Sequence, residues 1–126
     1  MRDDERRLRE TVHAIASKLG PEYFQRVVDA GRPASELWDA LGDRGFLGVH
    51  LPEEHGGGGY GLTELAAVIE EAARAGCPVL AALYSPGVVG TILAAHGTPE
   101  QKARWLTGVA SGRAHASFAI TERDAG

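Results

Sequence analysis

A single cysteine, Cys77, stands in a chain of 126 residues, so no disulfide can close within it. A small fold stapled by bridges is excluded, and a reducing compartment suits such a chain. Cys77 itself reads as a small buried apolar residue. Positive charge is not in excess either: 13 Lys and Arg face 17 Asp and Glu, a net charge of −4. A nucleic-acid module needs a basic stripe to displace counterions from phosphates, and none is present. No apolar run reaches the ~20 residues of a membrane-spanning helix. The most apolar stretch, residues 79–95, is interrupted by Ser85, Pro86, Gly87, Gly90 and Thr91. The N-terminal run MRDDERRLRE is densely charged and does not read as a signal peptide. These absences predict a soluble, cytoplasmic protein.

Two catalytic patterns are also missing. There is no G-x-S-x-G nucleophile elbow and no Gly-Lys-Ser/Thr of a P-loop. Their absence bears on the stretch PEEHGGGGYGLTE, residues 52–64. Gly56-x-Gly58-x-x-Gly61 matches a dinucleotide fingerprint, and His55-Gly56-Gly57-Gly58 matches an esterase oxyanion loop. The first pattern needs a strand before it, a helix opening on it and a return strand, while Glu53 and Glu54 would repel a pyrophosphate. The second needs a nucleophile, and neither Ser85 nor Ser111 sits in a suitable context. A metal set of His50, Glu53, Glu54 and His55 is broken by Pro52, so no metal site is assigned. His13, His96 and His115 are dispersed and read as surface or cap residues. The glycines are expected to form a turn, because they tolerate positive φ and close backbone approach.

What is present is helical periodicity. Leu8, Val12, Ile15 and Leu19 form a stripe over residues 4–19, ended by Gly20-Pro21. A short helix is predicted over residues 22–30, with Tyr23, Val27 and Val28 apolar. Another follows from a Ser35 cap, burying Leu37, Trp38 and Leu41 and ending at Gly45. FLGVHLP, residues 46–52, is predicted to be extended. Leu62, Leu65, Ala66, Ile69, Ala72 and Ala73 trace one face of a helix that ends near Gly76. Residues 79–96 form the least polar helix, which is placed inside the bundle; Ser85-Pro86 can restart or kink it. Thr98-Pro99-Glu100-Gln101 is a capping box with proline at the first helical position. HASFAITE, residues 115–122, favours a strand and has no partner within the chain. The fold class read from the sequence is all-α. It is a bundle of about six helices over residues 1–114, followed over 115–126 by the opening strand of an otherwise absent β domain.

Four motifs in register, RGFLGVHLPEEHGGGGYG, IEEAARAG, GTPEQKARWLTGVASGR and SFAITERDAG, resemble the acyl-CoA dehydrogenase family. The resemblance implies the N-terminal helical domain of an FAD flavoprotein oxidoreductase of fatty acid metabolism, truncated in the flavin motif. That motif usually reads T-E-P-x-A-G-S-D; here Arg123 replaces the proline, and the chain ends at Gly126. Such enzymes desaturate an acyl-CoA thioester between Cα and Cβ, passing a hydride to N5 of FAD. The base belongs to a later domain, so no catalytic residue is assigned. Glu53, Glu54, Glu64, Glu70 and Glu71 are expected on a solvated or salt-bridged surface.

By the same resemblance, Phe118 and Ile120 border the flavin ring, and the Thr121 hydroxyl reaches N5. Leu83, Tyr84 and Val88 are expected to line the acyl pocket, with Tyr84 shortening it. The implied partners are an acyl-CoA substrate, an electron acceptor and further copies of the chain. FAD is not expected to be held by this chain alone. The alternative is a non-catalytic helical module, or a remnant, that pairs with another subunit.

Overall fold

The structure is a computed structural model that describes residues 1–125. Gly126, the last residue of the expected flavin motif, lies outside them. Five helices account for the described residues, not six. α1 spans Asp3–Asp29 and joins the two predicted N-terminal helices. Gly20 leaves helical geometry at φ 75° and ψ 177°, and helix resumes at once at Pro21. Proline loses nothing at the start of a helical stretch, where its missing N–H would be unpaired anyway. The break therefore costs a kink and no loop.

α2 spans Ser35–Asp43 and buries Leu37, Trp38 and Leu41, as predicted. Its cap is Ala34 rather than Ser35, which is the first helical residue and makes no cap bond. α3 covers Leu62–Arg74. α4 covers residues 80–96 and α5 residues 99–111. Both pass through wider, π-type turns, at Leu83–Gly90 in α4 and Lys102–Leu106 in α5. Pro86 sits in the wide part of α4, where a missing N–H is accommodated by loosening the ladder rather than by breaking it. The capping box opens α5 as the sequence implied. Gln101 N–H donates to Thr98 Oγ1 at 3.2 Å, and Thr98 N–H donates to Gln101 Oε1 at 2.9 Å.

α1 lies along α3, and the core gathers between them and α2. It includes Val12, Ala16, Val27, Leu37, Leu41, Leu65 and Val68. Trp38 closes one end by donating its Nε1–H to Gly112 O at 2.7 Å. Cys77 is fully buried, with Sγ 3.2 Å from Gly20 O, so its thiol caps the carbonyl at the kink of α1. Burial pushes that thiol above its ordinary range.

Three predictions need correction. FLGVHLP is a run of turns, not an extended segment, with Leu51 N–H bonded back to Gly48 O at 3.0 Å. Its apolar residues Leu47, Val49 and Leu51 are buried inside those turns. The buried face of α3 is Glu64, Leu65, Ala67, Val68, Glu71 and Ala72, so Leu62, Ala66 and Ala73 face outward. The stripe was misplaced because two carboxylates occupy apolar-looking positions. α4 is not interior: Leu80, Leu83, Tyr84 and Ile92 are all substantially exposed. Residues 115–121 form no strand, because the chain offers no partner strand to complete a ladder. The sole bridge among the described residues joins Glu122 to Ala125.

Candidate functional site

The glycine loop answers its own question through its N–H groups. Gly56 N–H bonds Glu53 O at 2.9 Å, and Gly57 N–H bonds Pro52 O at 3.0 Å. Gly58, Gly59 and Tyr60 bond Gly48 O, Leu51 O and Val49 O at 2.9, 2.9 and 3.0 Å. Five consecutive donors are thus spent on the chain itself, leaving none for a phosphate or an oxyanion. The neighbouring cavity, about 660 Å³, is rimmed by Asp3, Asp4, Glu5 and Glu64 against Arg7 and Arg44, which disfavours an anion further. The glycines are a turn folded tightly on residues 48–52. A Cβ on Gly58 would sit 2.7 Å from Val49 O, and one on Gly57 would run into Leu51 O.

The glutamates divide into two groups. Glu53, Glu54 and Glu70 are exposed, as expected. Glu64 and Glu71 are only 5% and 4% exposed, which corrects the expectation of a surface position. Burial is tolerated because each is paired and hydrogen-bonded. Glu64 pairs with Arg2 and accepts the Gly61 N–H at 2.9 Å, satisfying the start of α3. Glu71 lies 3.0 Å from Arg9 Nη1 and 3.2 Å from Arg74 Nη1. Arg9 also reaches Glu70 at 2.7 Å and Glu5 at 3.2 Å, tying α1 to α3. His13 Nδ1 stands 3.5 Å from the other Glu71 oxygen. These carboxylates hold the bundle together and are not poised for proton transfer.

The six residues assigned to flavin and acyl chain fall in one region, around the wide turn of α4. Tyr84 and Phe118 bring the two groups together, with ring centroids 5.7 Å apart and planes at 62°. This edge-to-face geometry suits the ring quadrupoles. Leu83 is 43% exposed and Tyr84 42%, so the acyl-side residues present an open apolar face; Val88 is half-buried. Phe118 is 39% exposed, and Ile120 and Thr121 lie largely in solvent. Among the described residues, the backbone groups of 117–121 make no hydrogen bond within the chain.

Two residues gained roles that the sequence did not suggest. Ser85, weighed above as a nucleophile, is 2% exposed and accepts the Ala116 N–H on Oγ at 3.0 Å. His50, weighed as a metal ligand, places Nε2 2.9 Å from Pro86 O, while its buried Nδ1 has no partner. That geometry fixes the neutral tautomer with the proton on Nε2. Burial pushes the imidazole below its ordinary 6.5, and the bond to Pro86 pulls weakly the other way. A proline inside a helix was the available signal for the wide turn, but nothing in the sequence named its partners. No group of three or more His, Cys, Asp or Glu able to hold a metal is found among the described residues.

The architecture is thus a helical domain with one polar, internally paired seam and one open apolar face. The family pattern for the acyl-CoA dehydrogenase N-terminal domain matches residues 2–113, and the chain belongs to the acyl-CoA dehydrogenase family. Acyl-CoA dehydrogenase FadE12 of Mycobacterium tuberculosis is 47% identical over 124 residues, covering 98% of this chain and 32% of its own length. The ChsE4-ChsE5 complex from Mycobacterium tuberculosis contains a chain that is 30% identical with a TM-score of 0.82, covering 93% of this chain and 32% of that one. Butyryl-CoA dehydrogenase from Megasphaera elsdenii superposes with a TM-score of 0.85 over 100% of this chain and 34% of its own. At 21% identity that likeness shows the fold alone. The chain spans about a third of the length of these relatives.

No helix among the described residues is long and apolar enough to cross a membrane.

Proposed function

We propose that this chain is the N-terminal helical portion of an FAD-dependent acyl-CoA dehydrogenase that desaturates an acyl-CoA thioester in the cytoplasm. The observation that carries the reading is the junction of Tyr84 with Phe118. It joins an exposed apolar helix face to a segment whose backbone donors and acceptors are unspent. The residues present suit a flavin: a planar ring edged with alternating donors and acceptors is read by such a backbone, and Phe118 and Ile120 offer apolar surface beside it. When bound, FAD supplies a two-electron acceptor at N5. Thr121 would place a hydroxyl donor toward that edge of the ring, and Leu83, Tyr84 and Val88 would hold the acyl chain and exclude water. The α-proton base is not among these residues.

The test is the purified 126-residue chain, titrated with FAD and assayed with acyl-CoA thioesters. The same measurements follow after co-expression with any polypeptide encoded in frame beyond the Gly126 codon. The chain alone is expected to be colourless and inactive, and the joined form yellow and active. Stoichiometric FAD with desaturation by the chain alone would overturn its dependence on further domains. A joined form that never takes up flavin would overturn the cofactor.

A second reading, a helical module that pairs with another subunit, is favoured by the exposure of Leu80 at 57%, Ile92 at 53% and Trp105 at 49%. Apolar surface of this kind favours association. The mass of the chain in solution, with and without a co-expressed β-domain partner, separates it from the first. A colourless complex without desaturation supports the module.

A further inference from the structure

We propose that Ser85 is a positioning residue: its buried hydroxyl sets where residues 116–121 lie against α4. The functional meaning rests on the flavin-facing reading above, but the geometry does not. Three consecutive residues of the wide turn each hold a different part of the chain. The Tyr84 ring takes the edge of Phe118, Ser85 Oγ takes the Ala116 N–H, and Pro86 O takes His50 Nε2–H. Successive residues on a helix point about 100° apart, so the turn is gripped from three sides.

The Ser85 bond is also of an unusual kind. A helical serine or threonine commonly bonds back to the carbonyl four residues earlier. Thr91 does this, donating Oγ1–H to Gly87 O. Ser85 instead reaches a backbone 31 residues away, and it does so at 2% exposure, where an unmet polar atom is costly. Ala116 and Phe118 are two residues apart, so the segment is pinned at two points by neighbouring residues of one turn. Its placement is therefore made before any sheet partner is supplied. It follows that a shift of the acyl-side turn carries the flavin-side segment with it.

The experiment is amide exchange followed by NMR on the 126-residue chain, comparing wild type with Ser85→Ala and Ser85→Thr. In Ser85→Ala the Ala116 amide is expected to exchange roughly tenfold faster, the effect of losing one ordinary hydrogen bond. The Tyr84–Phe118 ring cross-peak should weaken, while the Leu41 and Val68 amides keep their protection. Ser85→Thr restores the acceptor and should recover most of the Ala116 protection. If Ser85→Ala does not fold, Ala116→Pro removes the same N–H from the exposed side and leaves α4 intact; the cross-peak should weaken there too. Unchanged Ala116 exchange in a folded Ser85→Ala, or a wild-type cross-peak in Ala116→Pro, would overturn the proposal. Failure of the flavin titration would leave this result standing, so the two ideas fail separately.

Discussion

The seam between α1 and α3 and the outer face of α4 are built on opposite terms. The seam buries two carboxylates and answers each with arginines: Glu64 with Arg2, and Glu71 with Arg9 and Arg74. The outer face leaves Leu83, Tyr84 and Ile92 in solvent and holds the following segment by little more than the Ala116 hydrogen bond and an aromatic edge. Charge is inside and oil is outside, the reverse of the usual division. The difference teaches that the seam is finished within this chain. The outer face has polar and apolar capacity left over, which is where function is proposed.

Breaking the seam should cost most. Glu71→Ala leaves Arg9 and Arg74 without their shared buried partner and is expected to destabilise the chain by about 3 kcal/mol. Urea unfolding followed by far-UV circular dichroism measures it. A loss below about 1 kcal/mol would show that Arg9 is satisfied by Glu5 and Glu70 alone.

A smaller effect is expected where the two regions meet the glycine loop, at His50. Its folded value lies below the ordinary 6.5, so on acidification the unfolded chain takes up the proton first. The His50 contribution is therefore intact above pH 6.5 and lost as pH falls from there toward the folded value. The slope is at most about 1.4 kcal/mol per pH unit for one proton. Stability measured from pH 7.5 to 5 should fall more steeply for wild type than for His50→Gln, which can still donate to Pro86 O. Parallel curves would remove His50 from the account.

The smallest stability effect belongs to the outer face. Tyr84→Ala is expected to cost no more than about 1 kcal/mol, since the ring is half in solvent and its one aromatic pair is worth little more. Its consequence should be functional. In an active joined form, Tyr84→Ala should move the preferred acyl chain toward longer substrates. An unchanged chain-length profile would take Tyr84 out of the pocket.

Much of this was legible from residue order. The capping box at Thr98 and the stripe of α2 were visible because each depends on residues three or four apart. The turn at the glycines was visible because two competing patterns lacked their required surroundings. Glu71 was not legible, since the residue that permits its burial, Arg9, is 62 positions away. Residues 46–52 misled for a related reason: apolar and β-branched residues there are buried by folding tightly on the glycines rather than by extending. The proposed site was half visible. Family resemblance marked Phe118 and Tyr84, and only the fold showed that Ser85 and His50 hold the turn between them.

The loosened turns of α4 amount to slack in the chain. A residue deleted from Leu83–Gly90 can be absorbed by drawing a wide turn back to the ordinary 3.6 residues. The same deletion in α3, which has no such reserve, would swing everything beyond it by about 100° and carry Glu71 out of reach of Arg9. Along one lineage, then, the outer face can gain or lose a residue and change what it accepts, while the seam keeps its count.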